Sequence, residues 1–259
     1  MEKKVDFSKF SNGSRLFSFE EEGDFFIPYI KDNMKILDLG CGNGEFTIFL
    51  SKLAAKGNVI GIDNNGEQID TAKVNADKNK ISNMKFLEAD VYNLPFEDCT
   101  FDFVSMNMLL TYIDKPISAL KEAFRVLKKG GIIAVNDPDY DGNIMAPNYQ
   151  IISQRMAINE KLMRDNGINM RSGKYNAKLL NEVGFINVKP SVKIKSYGSK
   201  EEAQEFSKHM NEIENLFFSS DASDMAKNMR KESWRCWMEN QGAFAARTYC
   251  RVVGWKDEN

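Results

Sequence analysis

An α/β domain on a largely parallel sheet is what this sequence predicts, and three observations carry the prediction. At 42% hydrophobic, its 259 residues can fill a full core, and β-competent apolar runs alternate along the chain with helical periodicity. The stretch from Lys35 to Phe46, Lys-Ile-Leu-Asp-Leu-Gly-Cys-Gly-Asn-Gly-Glu-Phe, reads as a strand, a tight glycine turn and a helix. The next two strands run into acids, Asp63 and Asp90, and open α/β sheets bind ligands at such strand ends.

The glycine turn organises the rest. Ile36 and Leu37 are β-competent, Asp38 stands where the strand ends, and Gly40, Gly42 and Gly44 leave bare backbone for a bulky ligand. Phe46, Phe49, Leu50 and Leu53 then share one helical face, with Gly57 expected as the C-terminal stop. A dinucleotide turn needs Gly-x-Gly-x-x-Gly. Here the third glycine position is Glu45, which disfavours a pyrophosphate. A carboxylate at Asp38 repels phosphate and attracts an amino group, so the inferred ligand carries a cationic amine and an adenosine.

On these residues the chain resembles a class I S-adenosylmethionine-dependent methyltransferase, in particular the small-molecule branch of the ubiquinone and menaquinone biosynthesis C-methyltransferases. The likeness covers Lys35 to Asp137. It implies a Rossmann-like α/β fold of seven strands in the order 3-2-1-4-5-7-6, the last antiparallel, with helical insertions forming a cap. It also implies S-adenosylmethionine as methyl donor and S-adenosylhomocysteine as product. The expected layout is one domain: an N-terminal helical lid over 1–33, a cofactor-binding core over 34–137, and cap insertions at 147–167 and 197–241.

Taken in order, the lid is rich in aromatics, Phe7, Phe10, Phe17, Phe19, Phe25, Phe26 and Tyr29, most of which suit a helical layer on the sheet edge. In the family this segment also closes over the cofactor, and Arg15 would then meet the methionine carboxylate. The second strand, Asn58 to Ile62, ends in Asp63, whose carboxylate can accept from both ribose hydroxyls or cap the helix from Glu67 to Lys80. After the third strand, Met84 to Leu87, Asp90 and the backbone of Val91 fit the adenine amino group, or an ordinary turn. Cys41 in the turn, Asn64 beside Asp63 and Asn107 after the fourth strand, Phe101 to Met106, complete the cofactor-binding set.

Ser105-Met-Asn-Met108 is not the Asn/Asp-Pro-Pro-Tyr element of amine-directed relatives, and Asn136-Asp-Pro-Asp-Tyr140 comes one strand too late to be it. Quinone-branch relatives often carry a histidine near Thr111 or Tyr112; this chain has none there, so no base is assigned. A helix from Pro116 to Leu127 leads through Gly130-Gly131 to the fifth strand, Ile132 to Asn136. Asp137-x-Asp139-x-Asp141-Gly142 matches the first half of a calcium loop, but Asn148 replaces the bidentate Glu, so no metal is expected. A magnesium site of the catechol type uses similar carboxylates. The preferred reading makes this loop part of an acceptor pocket, with Asp139 and Tyr140 orienting the acceptor and His209 as candidate base.

A helix follows Pro147, another runs from Asn176 to Val183 with Gly184 as stop, and a strand from Phe185 to Ile194 precedes helices at Lys200 to Phe218 and Ala222 to Asn240. The last strand is Phe244 to Val253. The insertions carry Met156, Leu162, Met210, Phe217, Phe218, Trp234 and Trp237, which would roof the pocket or form a second core.

A formal net charge of -2 supplies no basic field, so no nucleic-acid partner is expected. Four scattered cysteines without Cys-x-x-Cys spacing argue against zinc and disulfides and fit a reducing cytoplasm. No apolar run suggests a leader or a membrane span. The expected function is in-line methyl transfer to a small-molecule acceptor. Alternatives are a protein or RNA methyltransferase, a nicotinamide oxidoreductase, and a non-catalytic S-adenosylmethionine-binding protein.

Overall fold

The computed structural model describes residues 18–217 and 232–258. Among these, 18–138, 172–193 and 249–258 form one compact unit, and 139–171, 194–217 and 232–248 form a second. Arg15 and Phe218 lie outside the described residues, as does the side chain of Phe217.

In the larger unit, β1 (Lys35–Leu39), β2 (Asn58–Asp63), β3 (Met84–Glu88), β4 (Phe101–Asn107) and β5 (Leu127–Pro138) run parallel in the order β3-β2-β1-β4-β5. Antiparallel to β5 runs β8 (Phe244–Trp255), in register from Ile132 opposite Trp255 to Pro138 opposite Tyr249. β7 (Ile186–Tyr197) pairs with β8. The expected order and the antiparallel last strand are therefore present, with one strand added to the numbering. That strand is β6 (Ile144–Ala146), which pairs with Phe244 to Ala246 in the smaller unit. Three residues before Pro147 are too few to show a period of two.

Side-chain alternation along the strands covers both faces of the sheet. Leu37, Leu39, Val104, Met106, Ile133 and Val135 pack toward α4 (Pro116–Val126) and α6 (Asn176–Val183). Ile36, Val59, Phe103, Ile132 and Ala134 share the opposite cluster with Phe46, Phe49 and Leu50 of α2 (Glu45–Leu53). Of the lid aromatics, Phe19, Phe25, Phe26 and Tyr29 join this second cluster, and Phe7, Phe10 and Phe17 lie outside the described residues. Phe19, in α1 (Phe19–Gly23), stacks on Phe49 at 5.4 Å, and Phe26 lies 5.4 Å from Phe103. Ser18 caps α1 in a reciprocal box with Glu21.

Three local expectations are corrected. α2 ends at Leu53 with Ala54 as its cap, so Gly57 does not stop it. Gly57 is glycine because a Cβ there would fall 2.0 Å from the Met34 carbonyl oxygen. α3 (Gly66–Asn79) is capped by the Asn65 side chain, which accepts from Glu67 and Gln68 N–H groups, so Asp63 is not its cap. β5 begins at Leu127 and ends at Pro138, longer than its apolar run, because Leu127 pairs with Phe101 across a register shift.

The smaller unit contains α5 (Gln150–Asp165), α7 (Lys200–Phe217) and a helical stretch over 232–238. Tyr197, Phe206, Trp234 and Trp237 are buried and in mutual ring contact, Phe206 lying 5.0 Å from Tyr197 and 5.5 Å from Trp237. Both tryptophans therefore serve a core, one of the two roles open to them from sequence. Among the described residues no helix is long and apolar enough to cross a membrane.

Candidate functional site

The turn after β1 is held by backbone bonds. Gly40 and Cys41 N–H groups both donate to the Ile62 carbonyl at 2.8 Å, fastening the turn to the end of β2. Gly40, Gly42 and Gly44 all have φ between +52° and +79°, the left-handed region that side chains resist. Their surroundings differ. A Cβ at Gly44 would lie 2.7 Å from Ala72 and Phe86, whereas at Gly42 the nearest atom is 3.9 Å away, on the Gln68 side chain. Gly44 lets α3 and β3 pack, and Gly42 presents open backbone.

Asp63 joins this turn to the next helix. Its Oδ2 accepts from Gly42 N–H and its Oδ1 from Asn65 N–H, both at 3.0 Å. Its backbone carbonyl accepts from Ala89 N–H, next to Asp90. Asp63 is half-buried, while Asn64 and Asp90 are exposed and Val91 is buried. The Asp90 carboxylate accepts from Tyr92 N–H, the ordinary turn role it was given as an alternative. Each carboxylate oxygen keeps acceptor capacity, since ionised oxygens carry about two lone-pair sites apiece.

Asp38 is enclosed, 2% exposed, and accepts from the Thr47 hydroxyl at 2.6 Å. Burial pushes its pKa up to about 7, against the pull of hydrogen bonds from Thr47 and Ser105, and the Asp63 charge adds to the rise. Burial also raises the Cys41 thiol, with both carboxylates contributing. At the end of β4, Asn107 accepts from the Asn136 side-chain amide at 2.8 Å and donates to Glu22 of α1 at 3.3 Å. Met108, next in the chain, has φ +57° and donates its N–H to the Asn136 carbonyl. Asn136 Oδ1 is buried with no partner among the described residues. Sequence reading passed over Asn136 as a site residue; the signal was a polar residue at a strand end beside an already chosen Asn107.

The acidic loop sends its carboxylates to separate partners. Asp137 is fully buried, accepting from Thr111 N–H at 3.2 Å and the Asn176 amide at 3.0 Å, and burial lifts its pKa to about 7. In the smaller unit, Asp139 accepts from Asp141 N–H, and Asp141 pairs with Arg171. Among the described residues no group of three or more His, Cys, Asp and Glu side chains is placed to hold a metal ion.

Tyr140 and His209, far apart in sequence, meet at Arg247, a residue the sequence reading missed. Arg247 is 4% exposed, donates from Nη1 to His209 Nε2 at 2.7 Å, and lies over the Tyr140 ring at 5.6 Å, with Nη2 3.5 Å from its hydroxyl. Burial, helped by the Arg247 charge, drives the His209 pKa down to about 3, so the ring is neutral at ordinary pH. Burial raises the Tyr140 phenol. Tyr140 and Arg247 line a cavity of about 230 Å³ within this unit, with Ile144, Met156, Phe206 and Met210 among its walls. Nothing in sequence spacing linked positions 140, 209 and 247.

Known proteins are similar to this chain in sequence or in fold. An uncharacterized methyltransferase of Schizosaccharomyces pombe is 28% identical over 253 residues, covering 90% of this chain and 88% of that protein. A demethylmenaquinone methyltransferase of Staphylococcus aureus (strain MRSA252) is 35% identical over 131 residues, 48% of this chain and 54% of that protein. A solved N-methyltransferase of Haemonchus contortus, in complex with phosphomonomethylethanolamine and S-adenosylhomocysteine, superposes with a TM-score of 0.58 at 15% identity, covering 91% of this chain and 52% of that one. The last comparison bears on fold alone. The family model described as a methyltransferase domain matches residues 30–184, which contain the glycine turn and the ends of β1 to β5, and the chain belongs to that family.

Proposed function

We propose that this methyltransferase uses S-adenosylmethionine to methylate a small-molecule acceptor, leaving S-adenosylhomocysteine. The observation that carries the reading is Asp63, held by Gly42 and Asn65 N–H groups beside the open backbone of the turn. A fixed carboxylate there suits two ribose hydroxyls, and a turn without side chains suits the rest of an adenosine. The buried Asn136 Oδ1, without a partner among the described residues, adds a candidate acceptor for a ligand N–H or O–H near Asn107. When bound, the donor supplies an activated methyl group. The protein's share is alignment of the acceptor lone pair with the methyl–sulfur bond, and exclusion of water. A base is needed only if the acceptor must lose a proton. His209, with its low proton affinity, serves better as an acceptor for Arg247 than as that base.

The nicotinamide reading is weaker. α2 begins at Glu45, whose N–H is already bonded to Asn43 Oδ1 at 3.2 Å, so a pyrophosphate would meet a carboxylate and a used donor. Placement in the cytoplasm, absence of nucleic-acid partners and the cap role of 147–167 and 197–241 remain part of the proposal. So does Arg15 as partner of the methionine carboxylate, and Asp90 with Val91 as the adenine contact.

Two results test the reading. Incubation with methyl-labelled donor and a metabolite extract should yield a labelled small molecule; label confined to protein or RNA would select the macromolecular alternative. Turnover should also survive exhaustive chelation, and loss of activity restored by magnesium or calcium would reassign the acidic loop.

Asp38 gives a pH prediction. With its free pKa about 7, a cationic amine arriving at the turn lowers that value by attraction. Binding at pH 6 therefore releases a proton, and affinity rises with pH until it levels off above about 7. Calorimetry in buffers of different ionisation heats reads the release. Asp38→Asn should abolish it, and a wild-type protein that releases none would remove Asp38 from the amine's neighbourhood.

A further inference from the structure

We infer that Asn136 and Arg251 form a donor–acceptor pair that reads a hydroxyl group on the methyl acceptor, which makes the acceptor an alcohol or a phenol. Calling this ligand the acceptor rests on the methyl-transfer reading, but the recognition chemistry stands on the sheet itself.

The two residues face each other across β5 and β8 near the carboxyl end of β5. Directly opposed residues of an antiparallel pair put their side chains on one face, with Cβ atoms about 4.5 to 5.5 Å apart. Asn107 of β4 is next in the same row, opposite Asn136, and β4 adjoins β1 with its glycine turn. In the methyl-transfer reading the ribose lies at Asp63, on the β2 side of that turn. The row of Asn107, Asn136 and Arg251 lies on the other side, within the larger unit.

Asn136 is 7% exposed and Arg251 8%. Neither Asn136 Oδ1 nor Arg251 Nε has a hydrogen-bond partner among the described residues. Chemistry sets which end of the Asn136 amide is left over. A carboxylate only accepts, so Asn107 turns its Nδ2 to Glu22 at 3.3 Å and its Oδ1 to Asn136 at 2.8 Å. Asn136 must then donate to Asn107, and its oxygen is the atom turned away from β4. On β8, Arg251 gives Nη1 to Asp24 at 2.5 Å and lies over the Phe25 ring at 4.9 Å. Its charge is thereby paired, and Nε offers a single N–H.

One acceptor beside one donor selects among ligand groups. A hydroxyl donates to Asn136 and accepts from Arg251 through one oxygen. An ammonium cannot accept, and a carboxylate or an ether cannot donate, so each would leave a buried polar atom unpaired. Glu22 in α1 and Asp24 at its C-terminal cap hold the lid segment to this row. The Asp24 side chain is 44% exposed, and ion pairs at such exposure are weak, so the ligand enters as this segment lifts.

Ligand-observed NMR titrations of the full chain, with and without S-adenosylhomocysteine, test the pair. Phenol and benzyl alcohol are the probes, against anisole and benzyl methyl ether, which accept but cannot donate, and toluene, which does neither. The hydroxyl probes should bind at least about tenfold tighter than the matching ethers. Asn136→Leu should erase that preference. Arg251→Lys keeps a cation for Asp24 but removes the Nε donor, and should weaken the hydroxyl probes relative to toluene by about threefold or more. Ethers binding as well as the hydroxyl probes, a preference that survives Asn136→Leu, or hydroxyl binding unmoved by Arg251→Lys would each overturn the inference. A preference lost only together with S-adenosylhomocysteine affinity would give the pair to the donor and overturn it too. S-adenosylhomocysteine binding without hydroxyl selectivity sinks only the acceptor assignment, and hydroxyl selectivity without S-adenosylhomocysteine binding sinks only the methyl-transfer reading.

Discussion

Asp63→Ala is expected to weaken S-adenosylhomocysteine binding by at least about tenfold, and by roughly a hundredfold or more if both ribose bonds are lost without replacement by water. Hydrogen bonds to a charged acceptor contribute roughly 1.5 to 3 kcal/mol each. The structure adds a second route to the loss, because Asp63 also accepts from Gly42 and Asn65 N–H groups at 3.0 Å and so shapes the turn that receives the ligand. Asp63→Asn separates the two routes. It keeps one oxygen and the side-chain shape, so a smaller loss than Ala would assign the difference to the turn. Calorimetry decides, and an unchanged affinity in Asp63→Ala would remove this residue from the site.

Gly44→Ala is expected to destabilise the fold by roughly 2 to 4 kcal/mol. Two costs add. The new Cβ would sit 2.7 Å from both Ala72 and Phe86, and φ stays at +79°. Gly42→Ala meets only the second cost, since its nearest neighbour is 3.9 Å away on a flexible Gln68, so about 1 to 2 kcal/mol is expected. Its main effect should fall on ligand binding, where the methyl group occupies the open face. Urea unfolding followed by circular dichroism measures both variants. Equal destabilisation by the two would mean that packing against α3 and β3 contributes nothing at Gly44.

The elements with local signals were legible in the sequence. The strand, glycine turn and helix from Lys35 to Leu53 appear within a residue or two of their expected places, as does α6 with Gly184 at φ +106° behind it. Local periodicity and glycine chemistry set these elements, so reading neighbours was enough. What was missed depended on distant partners. Gly57 looked like a helix stop, but it yields to the Met34 carbonyl. Leu127 to Gly131 showed no strand pattern, yet Leu127 is drawn into β5 by pairing with Phe101.

The site divides in the same way. The turn glycines, Asp38 and Asp63 were readable because each stands beside a strand end whose position the sequence marks. Asn136 and Arg247 were not. Asn136 matters through Asn107, 29 residues before it, and Arg247 through His209, 38 residues before it. Each has an unremarkable local context in an apolar strand. Asp137 and Asp139 were grouped by spacing as one acidic loop, but their carboxylates serve different hydrogen bonds. Spacing along a chain says little about direction once a strand ends.

A crystal structure of this protein with S-adenosylhomocysteine tests the central claim most directly. The expected result is the ribose with both hydroxyls within hydrogen-bonding distance of the Asp63 carboxylate, its adenosine and amino acid portions running along the bare backbone at Gly42. A ligand seated elsewhere, or a ribose turned away from Asp63 with the turn at Gly40 to Gly44 uncovered, would contradict the account.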